Sequence, residues 1–585
     1  MQLARRLRLP AVLCSLAVLL CELISRPYTS MGVCDDGPYI LMAQKLAATG
    51  HILYNGNITP MLGWQLYLGA AFIKLFGFSF TAARMSTLLV ALLTAFLLQR
   101  TLVRAGIHER NATLGTLALV LSPIYLMLSA TYMSDVFGLF SILLCLYGCL
   151  RSLQSASDRA TILWLCFAVF TNALFGTSRQ IAWLGVLVMI PSALYLLRSR
   201  RRVLLAGLAV NLLGGLFILA CMQWFLRQPY NVHEHLLPKT FSVATALLQI
   251  AYSVLDLPYL LLPVTLLFLP QLRKLRLRTL AIFLLLFSGY VFLATYPSHL
   301  RGNVQLLPMG SGTGLGEWNN VTGIFAYDLL QGKPPIVIGK VAQVLLTLLT
   351  LGGVVGLIAS LRQTGGTKPA PEPATAESGV VSREVSWRQL SMLLAPFFLT
   401  YYLLLIPRSV VSGIRDRYFL GLLVVILLCL LRSYQDQIQQ RLPLVSIPLV
   451  AAVALYAVMM THNMFSLYRA RVALANELVA AGVAPTAIDH GWEQNMVVEL
   501  QHSNHINDPR TTIPADAYKP APPLPAGSCK VVNYDQTPHV RPLYGASFDP
   551  NACYGPAPFA PVHYSRWPYR TRGTLYVVRY LPPKA

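Results

Sequence analysis

Runs of about twenty apolar residues recur along most of the chain, and they decide what it can fold into. Each is long enough, as a helix, to cross the ~30 Å hydrocarbon layer of a bilayer. In that layer only helices and closed barrels satisfy their own backbone. About thirteen runs can be read at this length, near 10–26, 82–99, 113–129, 135–150, 161–177, 181–197, 203–225, 243–269, 279–296, 336–360, 389–406, 417–431 and 443–460. Charged residues make up 12% of the chain, where a soluble domain carries about a quarter. The expected class is an α-helical multi-pass membrane protein.

A net charge of +23 would suit nucleic acid, but its distribution argues against such a partner. The basic residues gather in alternate loops: Arg5/Arg6/Arg8, Arg100/Arg104/Arg110, Arg151/Arg159, Arg198/Arg200/Arg201/Arg202, Arg273/Lys274/Arg276/Arg278, 362–388 and Arg432/Arg441. This is the positive-inside pattern, which assigns those loops to the cytoplasm. The N-terminus is then cytoplasmic. An odd number of spans puts the C-terminus outside, in the periplasm or extracellular space. The first apolar run has a basic start and no small-x-small cleavage site, so it is expected to stay as a signal anchor. Seven of the ten cysteines fall within spans and suit plain packing. Cys529 and Cys553 lie in the outer tail, where a disulfide can form.

Two units are expected, 1–460 in the membrane and 461–585 outside. Residues 27–80 form a long outer loop with two amphipathic pieces, Ile40–Thr49 and Gly63–Phe76, set to lie at the interface. A second outer stretch, 297–335, is rich in glycine and reads as a flexible flap. Residues 362–388 read as a disordered cytoplasmic linker. Past Thr461 apolar runs shorten and Asn, Asp, His and Pro accumulate, which suits a loop-heavy α+β domain. Within it, Leu467–Ala481 has a helical pattern, and Lys530–Asn533 and Leu575–Tyr580 resemble strands.

The outer face gathers the polar residues able to do chemistry. Asp35 and Asp36 stand side by side about ten residues past the first run, in a chain with 23 acids among 585 residues. Adjacent carboxylates near a bilayer surface suit proton transfer. Asp135 opens the fourth run, where it can equally cap the helix. Arg179 lies in the turn between the fifth and sixth runs, and Arg415 and Arg417 precede the twelfth with Asp416 and Tyr418. Arginines on the outer face run against the positive-inside trend. They can snorkel to headgroups, or hold an anion such as a lipid phosphate. His233, Glu234 and His235 alternate on a loop and leave a divalent metal open, although no metal site or cofactor is expected.

The first outer loop resembles that of the C-type (GT-C) membrane glycosyltransferases that use polyprenyl-phosphate sugars, a group that includes bacterial protein O-mannosyltransferase-like proteins and lipid A aminoarabinose transferases. Asp35-Asp36-x-x-Tyr39, followed by Ala43, Leu46, Ala47 and Gly50, is similar to the family's first-loop motif. Thr59-Pro60-Met61-Leu62-Gly63-Trp64 is similar to its Pro-Pro-Leu…Trp turn, and Phe76-Gly77-Phe78-Ser79 with Ala82-Ala83-Arg84 to its entry into the second span. Ser134-Asp135, Thr177-Ser178-Arg179 and Arg417-Tyr418-Phe419 resemble its later motifs. The chain departs from the family in having Asp36 where Glu is usual and Thr-Pro for Pro-Pro. Neither the stretch 297–335 nor the tail beyond residue 480 can be matched.

The resemblance implies an inverting glycosyltransferase, a hexosyl- or pentosyltransferase of the cell envelope. It would take a sugar from a polyprenyl-phosphate donor to a lipid, polysaccharide or protein acceptor at the outer face of the cytoplasmic (inner) membrane. Asp35 would be the general base, with Asp36 and Asp135 in support. Arg179, Arg415 and Arg417 would hold the donor phosphate, and Tyr39, Trp64, Tyr418, His233 and Glu234 would line the substrate. Trp492, Tyr564, Trp567 and Tyr569 of the tail are candidate sugar-stacking faces, each with a packing alternative. Other classes remain open at this point. They are a secondary transporter, which would carry intramembrane charge and internal repeats, a non-catalytic assembly or sensor protein, and a ligase or polymerase using a lipid-diphosphate donor.

Overall fold

The computed structural model describes residues 9–57, 59–232, 241–295, 304–310, 315–323, 329–363 and 384–582. His233, Glu234 and His235 and most of the 362–388 linker lie outside them. In chain order the helices are α1 (Leu9–Ser25), α2 (Asp36–Thr49), α3 (Gly63–Phe76), α4 (Phe80–Arg104), α5 (Glu109–Val120), α6 (Pro123–Ser129), α7 (Asp135–Gln154), α8 (Asp158–Phe175), α9 (Ile190–Leu196), α10 (Arg201–Leu226), α11 (Val243–Leu260), α12 (Leu262–Thr265), α13 (Leu277–Thr295), α14 (Lys340–Gln363), α15 (Trp387–Ser412), α16 (Leu420–Gln437), α17 (Ser446–Ala480) and α18 (Trp492–Ser503).

Every apolar run becomes helical, yet the helices differ in length and continuity. Ten helices among the described residues have the length and apolarity to cross a membrane. An eleventh span forms if α5 and α6 count as one, and they are bent by 70°. The bend has a local cause. Ser122 caps α6 by accepting the Tyr125 N–H at 3.4 Å, and Pro123 cannot continue the hydrogen bonding of α5. The last two runs, Leu9–Ser25 and Gln180–Leu196, are shorter apolar helices. The second is broken by a 3-10 turn at Gln180–Trp183 and a π turn at Gly185–Met189 before α9 begins. Among the described residues the count therefore stands at ten or eleven, and the expected thirteen is not confirmed.

The centre of the bundle is held by α7 and by the span Asp416–Gln437, each 78% enclosed along its apolar stretch, whereas α10 and α13 are 22% and 11% enclosed. The two central helices start at the residues singled out above: Asp135 is the first residue of α7, and the 3-10 turn Asp416–Phe419 leads into α16. Both amphipathic pieces of the first loop are helices, α2 and α3, and they pack on one another.

The boundary at 460/461 is not a break in the chain. α17 runs unbroken from Ser446 to Ala480, leaving the apolar zone and continuing as the spine of the C-terminal region. The change in composition there marks a change of surroundings, and a helix crosses it freely because its backbone is satisfied internally. The C-terminal sheet has the order β1-β2-β4-β3, from Ile488–Asp489, Tyr544–Ser547, Gly573–Arg579 and Val562–Tyr564. β1 and β2 are parallel, and the other pairs are antiparallel. Leu575–Tyr580 was expected to be a strand and largely forms β4. Lys530–Asn533 forms none, and Cys529 beside it is disulfide-bonded to Cys553.

Candidate active site

The chain reaches α2 through a strained turn. Cys34, a non-glycine, sits at φ 55°, a left-handed conformation that costs energy for a side-chain-bearing residue. The turn separates the two adjacent acids completely. Asp36 is fully buried, and both its oxygens are occupied. Oδ1 accepts the Val33 N–H at 2.7 Å and an Arg84 Nη2–H at 3.0 Å. Oδ2 accepts Arg84 Nε–H at 2.8 Å and the Tyr132 N–H at 3.1 Å. Arg84 also donates to the carbonyls of Thr29 and Met31. Asp36 thus ties the first loop to α4 and to the turn before α7, leaving no oxygen free for a substrate. Asp35 is different. Its side chain is 22% exposed, and Oδ2 meets Arg417 Nη2 at 3.4 Å. The Cys34 thiol also donates to that oxygen, at 3.8 Å.

Arg417 is the hub. Besides Asp35, its guanidinium faces Asp135 Oδ2 at 3.7 Å and Glu317 Oε2 at 3.6 Å. Asp135 is buried at the start of α7 and pairs through Oδ1 with Arg179 Nη1 at 2.8 Å. Glu317 pairs with Arg415 at 3.1 Å. Three carboxylates thus face three guanidiniums in a partly dry site. Burial pushes the Glu317 carboxyl above its usual range, against the pull of Arg417 and Arg415. Tyr418 lies among the cations, with Arg179, Arg408 and Arg417 5.1, 5.0 and 5.4 Å from its ring centre. Tyr39 is buried beside Asp35, and its phenol is driven upward by desolvation first and by Asp35 second.

Glycine shapes one wall. A Cβ on Gly138 of α7 would stand 2.9 Å from Arg179 Cδ and 3.2 Å from its Cβ. Its absence lets Arg179 lie across the helix toward Asp135. Asp135, Arg179 and Arg417 share a small void, with room for about one water, with Leu139, Ile142 and Leu420. The guanidiniums thus lie against apolar side chains, a setting in which an anionic group is held strongly.

Glu317 was not anticipated, because it stands in the glycine-rich stretch expected to be a flap. Among its described residues, 315–320 are buried. Asp416 accepts the backbone N–H groups of Trp318 at 2.8 Å and Asn319 at 3.1 Å, which fixes Glu317 over Arg417. A lone acid next to a tryptophan in a glycine-rich segment was the available signal. Trp64, expected near the substrate, is committed to packing. Its indole N–H donates to the Phe175 carbonyl at 2.8 Å, and its ring meets Phe137, Phe140 and Phe175. In the tail, Tyr564 is buried, Trp567 stacks on His462, and Trp492 donates to Gln536. Among the described residues no three His, Cys, Asp or Glu are grouped to hold a metal ion.

No family model matches the chain, and no curated protein matches it. Solved structures with similarity to it include ArnT from Cupriavidus metallidurans bound to undecaprenyl phosphate, at 14% identity and a TM-score of 0.39, covering 98% of this chain and 99% of that one. The oligosaccharyltransferase of Archaeoglobus fulgidus is 12% identical at a TM-score of 0.37, covering 79% of this chain and 57% of that one. The Pmt1-Pmt2 protein O-mannosyltransferase complex of S. cerevisiae bound to its sugar donor is 16% identical at 0.31, covering 37% and 33%. At these scores the chemistry has to be argued from the side chains themselves.

Proposed function

We propose that the chain is an inverting membrane glycosyltransferase that takes its sugar from a polyprenyl-phosphate donor. The observation that carries this reading is the cluster in which Arg417, Arg179 and Arg415 meet Asp35, Asp135 and Glu317, set against the apolar side chains of Leu139, Ile142 and Leu420. A phosphate on an isoprenoid chain presents an anion to such arginines and an apolar tail to the bilayer. The first-loop resemblance supports the donor class.

In this reading an acceptor hydroxyl or amine attacks the anomeric carbon, and its proton passes to Asp35, the least committed carboxylate of the cluster. The bond from the anomeric carbon to the phosphate oxygen breaks, and the lipid phosphate leaves with the electron pair. Arg417 and Arg179 stabilise the charge gathering on that oxygen. Asp135 and Glu317 hold the two guanidiniums in place and offset their charge. Lipid, polysaccharide and protein acceptors all offer such a nucleophile.

The test is mass spectrometry of lipids co-purifying with Asp35→Asn, which should retain donor that it cannot discharge. A polyprenyl-phosphate sugar enriched with Asp35→Asn and lost from Asp35→Asn/Arg417→Ala is the expected result. Absence of any polyprenyl lipid from both would overturn the reading. A lipid-diphosphate glycan would indicate a ligase instead.

A further inference from the structure

A second surface lies apart from this site, where two membrane helices emerge. His462 of α17 is 3.2 Å from the Ser25 carbonyl at the end of α1. Ser25 is the seventeenth residue of α1, and His462 is the seventeenth of α17. At 1.5 Å per residue both helices have travelled about 25 Å by this junction, close to the hydrocarbon thickness of a bilayer. The junction therefore marks the membrane interface. The same strand of chain leads from it to the candidate site, since Arg84 binds the Thr29 and Met31 carbonyls just beyond.

The loop between β3 and β4 is clamped onto this level. Ser565 N–H donates to Ser466 Oγ at 2.9 Å, and Trp567 N–H donates to Asn463 Oδ1 at 2.6 Å. Asn463 returns a bond to the Trp567 carbonyl at 2.8 Å, and the Trp567 ring stacks on His462 at 3.9 Å. From Ser565 to Trp567 the contacts step back along α17 from 466 to 463, toward the membrane. The rest of the loop continues in that direction, and Tyr569 comes within electrostatic reach of Tyr456. Residues 562–572 contain no acid, but they contain Arg566, Arg570 and Arg572, with Tyr569 43% exposed. Beside them lie exposed Arg26 and Tyr28, with Arg469 4.5 Å over the Tyr28 ring. None of these five arginines forms an ion pair with an acid among the described residues.

We propose that the β3–β4 loop is a membrane-dipping anchor, whose aromatics enter the interface while Arg566, Arg570, Arg572, Arg26 and Arg469 bind anionic phospholipid headgroups. Exposed aromatics favour headgroup depth. Each arginine near an anionic surface strengthens its attraction roughly fivefold. The anchor fixes the outer domain against the bilayer independently of any chemistry at Asp35.

The full-length protein, reconstituted in vesicles of phosphatidylglycerol and phosphatidylcholine, provides the test. A fluorophore on Tyr569→Cys should be quenched by headgroup-spin-labelled lipid and shielded from an aqueous quencher. One on Asn551→Cys, exposed elsewhere in the same domain, should show the reverse. Native mass spectrometry should find phosphatidylglycerol retained by the parent protein, with roughly a hundredfold less on the R566Q/R570Q/R572Q variant. Equal quenching at the two labelled positions would overturn the dipping loop. Equal phosphatidylglycerol retention by the parent and the triple variant would overturn the headgroup site.

Discussion

Two neighbouring aspartates with the same chemistry have opposite fates, and substitution should separate them. Asp36 and Arg84 form a buried, bidentate pair, and removing one partner of such a pair leaves an uncompensated charge at a cost of about 3–5 kcal/mol. Asp36→Asn should therefore lower the thermal unfolding temperature and the yield of inserted protein. Asp35→Asn should leave both unchanged and reduce transfer by roughly 10²–10⁴-fold, the range for a lost general base. A stable Asp36→Asn protein in a fluorescence melt would refute the first expectation, and a fully active Asp35→Asn protein the second. The adjacency of the acids was plain in the sequence, but their division was not. It depends on Cys34 taking a left-handed turn and on Arg84 arriving from a helix some fifty residues later. Asp135, Arg179, Arg415 and Arg417 could be assigned to one face from the charge bias, and they do meet. Glu317 was hidden because glycine-rich composition reports freedom of the backbone and says nothing of the Asp416 carboxylate that pins it.

At the scale of elements, the first loop and the C-terminal domain are joined where glycine permits close approach. A Cβ on Gly37 of α2 would stand 2.7 Å from Val497 Cγ2 of α18 and 3.2 Å from Gly32 Cα. Gly37→Ala should push α18 away from the helix that begins at Asp36, slowing transfer by disturbing Asp35. Val497→Ala in the same chain should restore much of the rate, which a purely local effect of the extra methyl on Asp35 would not allow. Rates for the single and double variants decide this. Gly138→Ala acts at the other wall. It should displace Arg179 and weaken donor retention, measured as co-purifying lipid, more than it lowers the melting temperature. The helices themselves were legible because apolar runs of this length have one solution in a bilayer. The kinks were less so, since Ser122-Pro123 and the turns after Arg179 interrupt hydropathy only briefly.

The whole molecule is a membrane bundle whose last helix becomes the spine of the C-terminal domain, so the stability of that domain bears on the site. Its interior holds a second buried pair, Arg471 with Glu493 at 2.9 Å, which joins α17 to α18. His490 lies beside it, 6% exposed, and its carbonyl accepts from Arg471. Burial first, and the Arg471 charge second, push the His490 imidazole down from 6.5 to about 4. The folded domain thus refuses a proton that the unfolded chain accepts. Stability is fully present above about pH 6.5 and is lost as the pH falls toward 4, by about 3 kcal/mol at 1.36 kcal/mol per pH unit. Amide exchange in β1 and α18 should accelerate across that window, and since α18 packs on α2, transfer should fall with it. His490→Gln cannot take up the proton, so its exchange profile should be flatter between pH 6.5 and 4 than that of the parent. If both proteins lose protection along the same curve, His490 does not couple acid to the opening of this domain, and the carboxylates of the site become the groups to titrate next.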